Sequence, residues 1–280
     1  MLDVVPRTHP SALRILPGKI PAELTRVDNW VVWRYELRQS KWTKVPYRAA
    51  DPSSLASSTD PKTWGPFDAA MAAYEHGGLD GIGIVPPADI AIVDLDHTDG
   101  RLWAQTIVDR LGSYAEVSPS GQGIRILVRA TLPAARKVGA IEAYPGGGKR
   151  YCTITGHHLP PSPPVVTDAP DAVADLVADL DLYRQFLAWA RQHRAQEKVE
   201  RLMAGDTTGY TSASESDMAL TSLLMSCFHD HATALRVLGL SGLWDEKWLR
   251  IDYADRTFAA VGTSPSPSPW QIVQTNSGGR

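Results

Sequence analysis

Cysteine is nearly absent from this chain: Cys152 and Cys227 are the only two in 280 residues. Two thiols so far apart exclude a disulfide scaffold and any Cys-rich zinc site. Long apolar runs are missing too, none approaching the roughly 18 residues of a membrane helix, and no charged-then-apolar leader opens the chain. The sequence therefore reads as a soluble, cytoplasmic protein with no membrane partner. Excess basic charge is also lacking, because 28 Lys and Arg face 31 Asp and Glu for a formal charge of −3. A nucleic-acid partner would have to be held by a local basic groove rather than by overall charge. Histidine offers little metal chemistry: His157-His158, His229 and His231 read first as polar surface.

Proline and apolar periodicity divide what is present. Residues 1–19 form an N-terminal arm with little core of its own. From 20 to 165, short apolar runs alternate with Gly, Pro and Ser turns, which predicts an α+β domain on a central, mainly antiparallel sheet. Helices are predicted at Phe67–Tyr74 and at Leu102–Leu111. The five prolines of Pro160–Pro170 read as a linker. Residues 166–262 then shift to helical spacing and predict a small helical bundle. Its first stripe, Val173 to Ala190, is read as broken before Arg194, and Ser212-Ala213-Ser214-Glu215 as a capping box. Trp244 and Trp248 are one helical turn apart, which suits core packing better than base stacking. Residues 263–280, rich in Ser-Pro, form a disordered tail or linker.

Chemistry concentrates in three segments. Ala91-Ile92-Val93-Asp94-Leu95-Asp96-His97 places two acids at strand period, so Asp94 and Asp96 share a face while Val93 and Leu95 point into a core. Adjacent carboxylates repel, and a divalent cation between them is the usual remedy. Ser118-Pro119-Ser120-Gly121-Gln122-Gly123 then precedes the strand-like run Ile124–Arg129. Such a turn suits phosphate oxygens, with Ser118, Ser120, Gly121 and Gly123 supplying hydroxyls and backbone donors. Arg125, leaving that turn, would grip a triphosphate with its planar fork. Third, Glu142 stands at strand period in Gly139–Tyr144 and would complete a carboxylate triad. Downstream, Arg150 and His157 are candidates to meet the nucleotide. Lys41, Lys44, Arg48 and Arg129, and more widely Lys137, are candidates for nucleic-acid contact.

The ordered set resembles the primase-polymerases of the archaeo-eukaryotic primase superfamily, in the phage and plasmid form. The first family motif, hydrophobic-Asp-hydrophobic-Asp, is matched by Val93-Asp94-Leu95-Asp96, and the third, an acid after a hydrophobic residue, by Ile141-Glu142. The Ser-Gly-x-Gly-x-His motif is matched by Ser120-Gly121-Gln122-Gly123-Ile124-Arg125, with arginine where the family has histidine. Ile20-Pro21-Ala22-Glu23-Leu24, Trp30-Val31-Val32-Trp33, Lys41–Tyr47 and Ser58–Trp64 resemble the family's opening segment. The resemblance covers about residues 20–165 well and the helical stretch more loosely.

It implies an RRM-like core followed by helices, and a DNA primase and polymerase of a phage, prophage or plasmid replicating in a bacterial cell. Asp94, Asp96 and Glu142 would hold two Mg²⁺ or Mn²⁺ ions for template-directed nucleotidyl transfer. The partners implied are a single-stranded DNA template, nucleoside triphosphates and a fused or separate helicase. Arginine at 125 retains phosphate contact but cannot donate a proton near neutral pH. Two other classes use parts of the same set. A metal-dependent nuclease shares the acids without the nucleotide turn, and a catalytically weak DNA-binding replication module is the reading that Arg125 favours.

Overall fold

In the computed structural model of this chain, residues 8–98, 100–148 and 150–261 are described. They fall into two compact units, one of residues up to 98 with 108–174, the other of 100–107 with 175 onward. The 263–280 tail and the first seven residues of the arm lie outside the described residues.

The first unit runs α1 (Ala22–Thr25), β1 (Trp30–Arg38), β2 (Lys41–Arg48), α2 (Phe67–His76), β3 (Gly81–Ile84) and β4 (Ile90–Leu95). It continues through the last turn of α3 (Leu102–Leu111, whose residues 102–107 belong to the other unit), β5 (Ala115–Val117), β6 (Ile124–Arg129), β7 (Arg136–Val138), β8 (Ile141–Tyr144) and β9 (Cys152–Ile154). Instead of one central sheet there are two, ordered β2-β1-β3-β9 and β5-β6-β4-β8-β7. Every ladder between these strands is antiparallel. In the second sheet β4 is central, with β6 and β8 beside it and β5 beyond β6. That is the RRM-like order, with the short strand β7 where that topology has its second helix.

The second sheet explains why β4 is apolar on both sides. Val93 and Leu95 are buried on one face, as alternation predicts, but Ile90 and Ile92 on the acids' own face are buried too. They pack with Leu127, Tyr114 and Tyr144 against Trp30, Val32, Val45, Ile82 and Ile154 of the first sheet. The inter-sheet face thus begins apolar and becomes charged two residues further along β4.

The arm and the linker are more engaged than composition suggests. Ile15 lies in this core, and the Leu13 and Leu16 amides donate to Pro119 and Thr155 carbonyls. In the linker, Val166 is buried, and its amide donates to Glu23 while that of Arg129 donates to Thr167.

The helical unit comprises α4 (Pro170–Gln192), α5 (Gln196–Met203), α6 (Ala213–Phe228), α7 (His231–Leu238) and α8 (Ile251–Ala260). Helix α4 is unbroken, because Leu176, Leu180, Phe186 and Ala190 keep one buried stripe along it. Ser212 caps α6 by accepting the Glu215 amide, while Glu215 receives the Thr211 amide rather than that of Ser212. Trp244 and Trp248 stack at 6.4 Å and are both buried, so they belong to the core.

Candidate active site

Antiparallel register sets five charged residues in one line across the five-stranded sheet. Glu116 pairs with Arg125, Arg125 with Asp94, Asp94 with Glu142, and Glu142 with Lys137. Directly opposed residues emerge on the same face, so the line is a ladder of charge at the point where the inter-sheet core ends. Sequence alternation placed Asp94 and Glu142 on strands, and the register makes them immediate neighbours. Asp96 follows one pleat along the same face, just past the end of β4, its amide donating to Ala140.

Each rung has its own partners. Arg125 gives Nε and Nη2 to the two Asp94 oxygens, both at 2.9 Å. Its Nη1 reaches the Thr153 carbonyl and hydroxyl, on β9 of the other sheet. The Arg125 side chain is only 8 % exposed, so in this state it is a strut inside the protein rather than a hand held out to a triphosphate. Glu142 is paired with Lys137, and Arg150 stands 3.9 Å from its other oxygen with its guanidinium over the Tyr144 ring. Glu116, fully buried, accepts from the Tyr114 hydroxyl and from the Thr155 and Gly156 amides. Burial raises its carboxyl above the ordinary range, opposed by Arg125 and these donors.

Asp96 retains the unneutralised charge. Partial burial, then the negative charges of Asp94 and Glu142, raise its carboxyl above the usual range, and His97 and Lys137 offset only part of this. Among the described residues no three His, Cys, Asp or Glu side chains stand ready as a metal cage. Arg125 and Lys137 pair with oxygens of Asp94 and Glu142 that a cation would need. The donor set itself, three carboxylates with residual repulsion, nevertheless suits a hard divalent ion such as Mg²⁺ or Mn²⁺.

Lys44 on β2 also belongs to this neighbourhood. Burial, then the Arg125 charge, push its ammonium down to about 8, while Asp94 and Asp96 pull the other way. Its nitrogen lies 5.6 Å from the Trp33 ring centroid, and it forms no ion pair among the described residues. Tyr151 donates to the Lys44 carbonyl and packs its ring on Gly83, where a Cβ would lie 2.8 Å from that ring.

The Ser118–Gly123 turn lies beside the end of β4, with Gly123 so close to Leu95 that a Cβ would sit 2.7 Å from its carbonyl. Its donors are turned inward. Ser118 and Gly123 share a backbone bond, Gly121 donates to Ser118, and the Gly123 amide also meets the Ser118 hydroxyl. Ser120 bonds Ser118 at 3.2 Å, and Gly121 takes a φ of +78°. His157 adjoins this turn, its carbonyl accepting the Val117 amide and its ring bonding the Arg14 carbonyl.

The remaining basic candidates scatter. Arg129 sits four residues along β6 from the charged line and is paired with the exposed Asp89 and Asp168. Lys41 and Arg48 are exposed at opposite ends of β2, so only Lys44 of the β2 cations approaches the acids. Sequence reading missed Glu116 and Thr153, and it placed Lys137 only among the basic candidates for nucleic-acid contact, not as the partner of Glu142. Glu116 carried a signal in its strand parity, whereas Thr153 had none.

An acid line across an RRM-like antiparallel sheet, with a helical region following in the chain, is the arrangement that the resemblance to primase-polymerases implies. A DNA primase-polymerase of Nitratiruptor phage NrS-1 is 34% identical to this chain over 199 residues, which cover 65% of the chain and 24% of that protein. The chain is thus homologous to a phage primase-polymerase, the group its motifs resemble, and spans about a quarter of that relative's length. No family model matches it.

Proposed function

We propose that this chain is the catalytic part of a phage or prophage DNA primase-polymerase, joining nucleotides on a single-stranded DNA template in the cytoplasm of a bacterial host. The observation that carries this reading is the pairing of Asp94 with Glu142 on adjacent strands, one pleat from Asp96. Asp94, Asp96 and Glu142 would together form the acidic site for Mg²⁺ or Mn²⁺, which when bound lowers the pKa of an attacking 3′-hydroxyl and neutralises the leaving pyrophosphate. The chain's own residues supply the rest. Lys44, desolvated and without an ion pair among the described residues, offers a cation to the triphosphate. Arg150 lies above Tyr144 at the outer edge of the acids, where it would meet the same anion. The Ser118–Gly123 turn would open its inward hydroxyls to phosphate oxygens. A helicase acting alongside rests on the family resemblance alone.

The test is to incubate the chain with single-stranded template, labelled nucleotides and Mn²⁺. Extension products that vanish in Asp96→Asn support the reading. Shortening of the template instead identifies a nuclease. The hold of Arg125 on Asp94 favours one second reading, a catalytically weak module, for which the same assay gives template binding without product.

A further inference from the structure

The three acids of the proposed site are not equally free, and the difference lies in the cations that cover them. Lys137, paired with Glu142, is 68 % exposed at its side chain and swings on a flexible stem. Arg125, paired with Asp94, is 8 % exposed. Its guanidinium is fixed at both ends, by two 2.9 Å bonds to Asp94 and by Nη1 to Thr153 on the other sheet. An incoming divalent ion can release the Lys137 ammonium into solvent, and Arg150, 59 % exposed and 3.9 Å from the other oxygen of the buried Glu142, can swing away in the same manner, so neither cation is left stranded inside the protein. Displacing Arg125 leaves a buried guanidinium without its counter-charge, which is expensive. Asp96, bearing no ion pair among the described residues, needs no displacement at all.

We infer that Arg125 is a positioning residue and resident counter-cation, so that a divalent ion binds chiefly through Asp96 and Glu142 while Asp94 stays in the grip of Arg125. Within the proposed function, on which this inference rests, arginine at the second-motif position supplies from the protein part of the positive charge that metal would otherwise bring. It orients Asp94 towards the ion rather than touching the nucleotide. Asp94 then acts as an outer partner that directs its neighbours, as hydrogen-bonded carboxylates around metals commonly do.

Mn²⁺ titration of the full chain, followed by electron paramagnetic resonance and calorimetry without nucleotide or template, tests this. Asp96→Asn is expected to abolish Mn²⁺ binding, and Asp94→Asn to weaken it by only about ten- to a hundredfold, the range typical of outer partners. Arg125→His is expected to tighten Mn²⁺ binding by about tenfold or more, with a lower melting temperature, because a freed carboxylate gains the ion. A merely structural arginine would lower the melting temperature without tightening the metal. Should Arg125→His fail to fold, Arg125→Lys serves, since an ammonium cannot span both Asp94 oxygens and should give a smaller gain. Equal losses from Asp94→Asn and Asp96→Asn, or no tightening in either Arg125 variant, overturns the inference while leaving the proposed function standing. Absence of Mn²⁺ binding in the unsubstituted chain overturns both.

Discussion

Replacing Lys44 by methionine should make the protein more stable and less able to bind a triphosphate. Methionine keeps the length and removes the charge. The ammonium of Lys44 has been pushed from 10.5 to about 8, by burial and then by Arg125. At 1.36 kcal/mol per pKa unit, a fall of that size sets an upper limit of about 3 kcal/mol. The side chain is only half-buried, so solvent screening brings the expected gain to about 1–2 kcal/mol. The sign follows from linkage. The folded value lies below the unfolded one, so the fold favours the neutral amine. That contribution is present above 10.5 and lost as pH falls through about 8. At pH 7 the native protein therefore carries the whole penalty and Lys44→Met carries none. Urea unfolding at pH 7 should show the variant more stable, with the gap narrowing at pH 10. In parallel, the rise in melting temperature given by a deoxynucleotide triphosphate with Mn²⁺ should shrink. A variant less stable by the same amount at both pH values would refute the reasoning, since Lys44 would then be held by packing alone.

Three further outcomes follow from the same geometry. Gly123→Ala places a Cβ 2.7 Å from the Leu95 carbonyl and 3.1 Å from the Ser118 hydroxyl. It should cost about 1–3 kcal/mol in denaturant unfolding, and a cost below about 0.5 kcal/mol would show that the turn yields freely. Glu116→Ala strands two buried amides and removes a negative neighbour of Arg125. A loss of about 2–4 kcal/mol is expected by the same measurement, from the two amides left unpaired. Asp96→Asn should raise the melting temperature of metal-free protein at neutral pH. Its carboxyl is raised from 3.8 by burial, then by Asp94 and Glu142, so the native contribution is lost as pH rises through that raised value. A variant that melts below the native protein at neutral pH would contradict this.

Much of the acid site was legible because strand parity is a local property. Asp94 and Asp96 two residues apart, and Glu142 between apolar neighbours, fix which side each faces once the strands exist. Antiparallel pairing then fixes their adjacency. What was not legible depends on partners distant in the chain. The sequence suggests an Arg125 beside phosphate, but its donors are taken by Asp94, 31 residues away, and by Thr153, 28 residues away. The turn at 118–123 reads as an anion cradle from composition, yet a short turn also has to satisfy its own backbone, and this one does. Arg129 shares the parity of Arg125 but pairs with Asp89 and Asp168, partners that its place in the sequence does not reveal. The second sheet was hidden because Ile90 and Ile92 look like ordinary strand residues until another layer covers them. The first helical run does stop before Arg194, since α4 ends at Gln192 and Arg194 takes a φ of +57°, while its buried stripe keeps the helix whole up to that point.

The gradient along β4 also constrains how insertions and deletions can accumulate near it. Because Ile90, Ile92, Asp94 and Asp96 stand on even positions of one edge, moving the strand by a single residue swaps the acids for Val93 and Leu95 and turns oil towards the cleft. Moving it by two keeps the side but drags Asp94 into the dry region now filled by Ile92. Neither shift leaves a working arrangement, so changes in chain length are tolerable only in the connecting segments, and natural variants should keep this strand and its two neighbours gap-free.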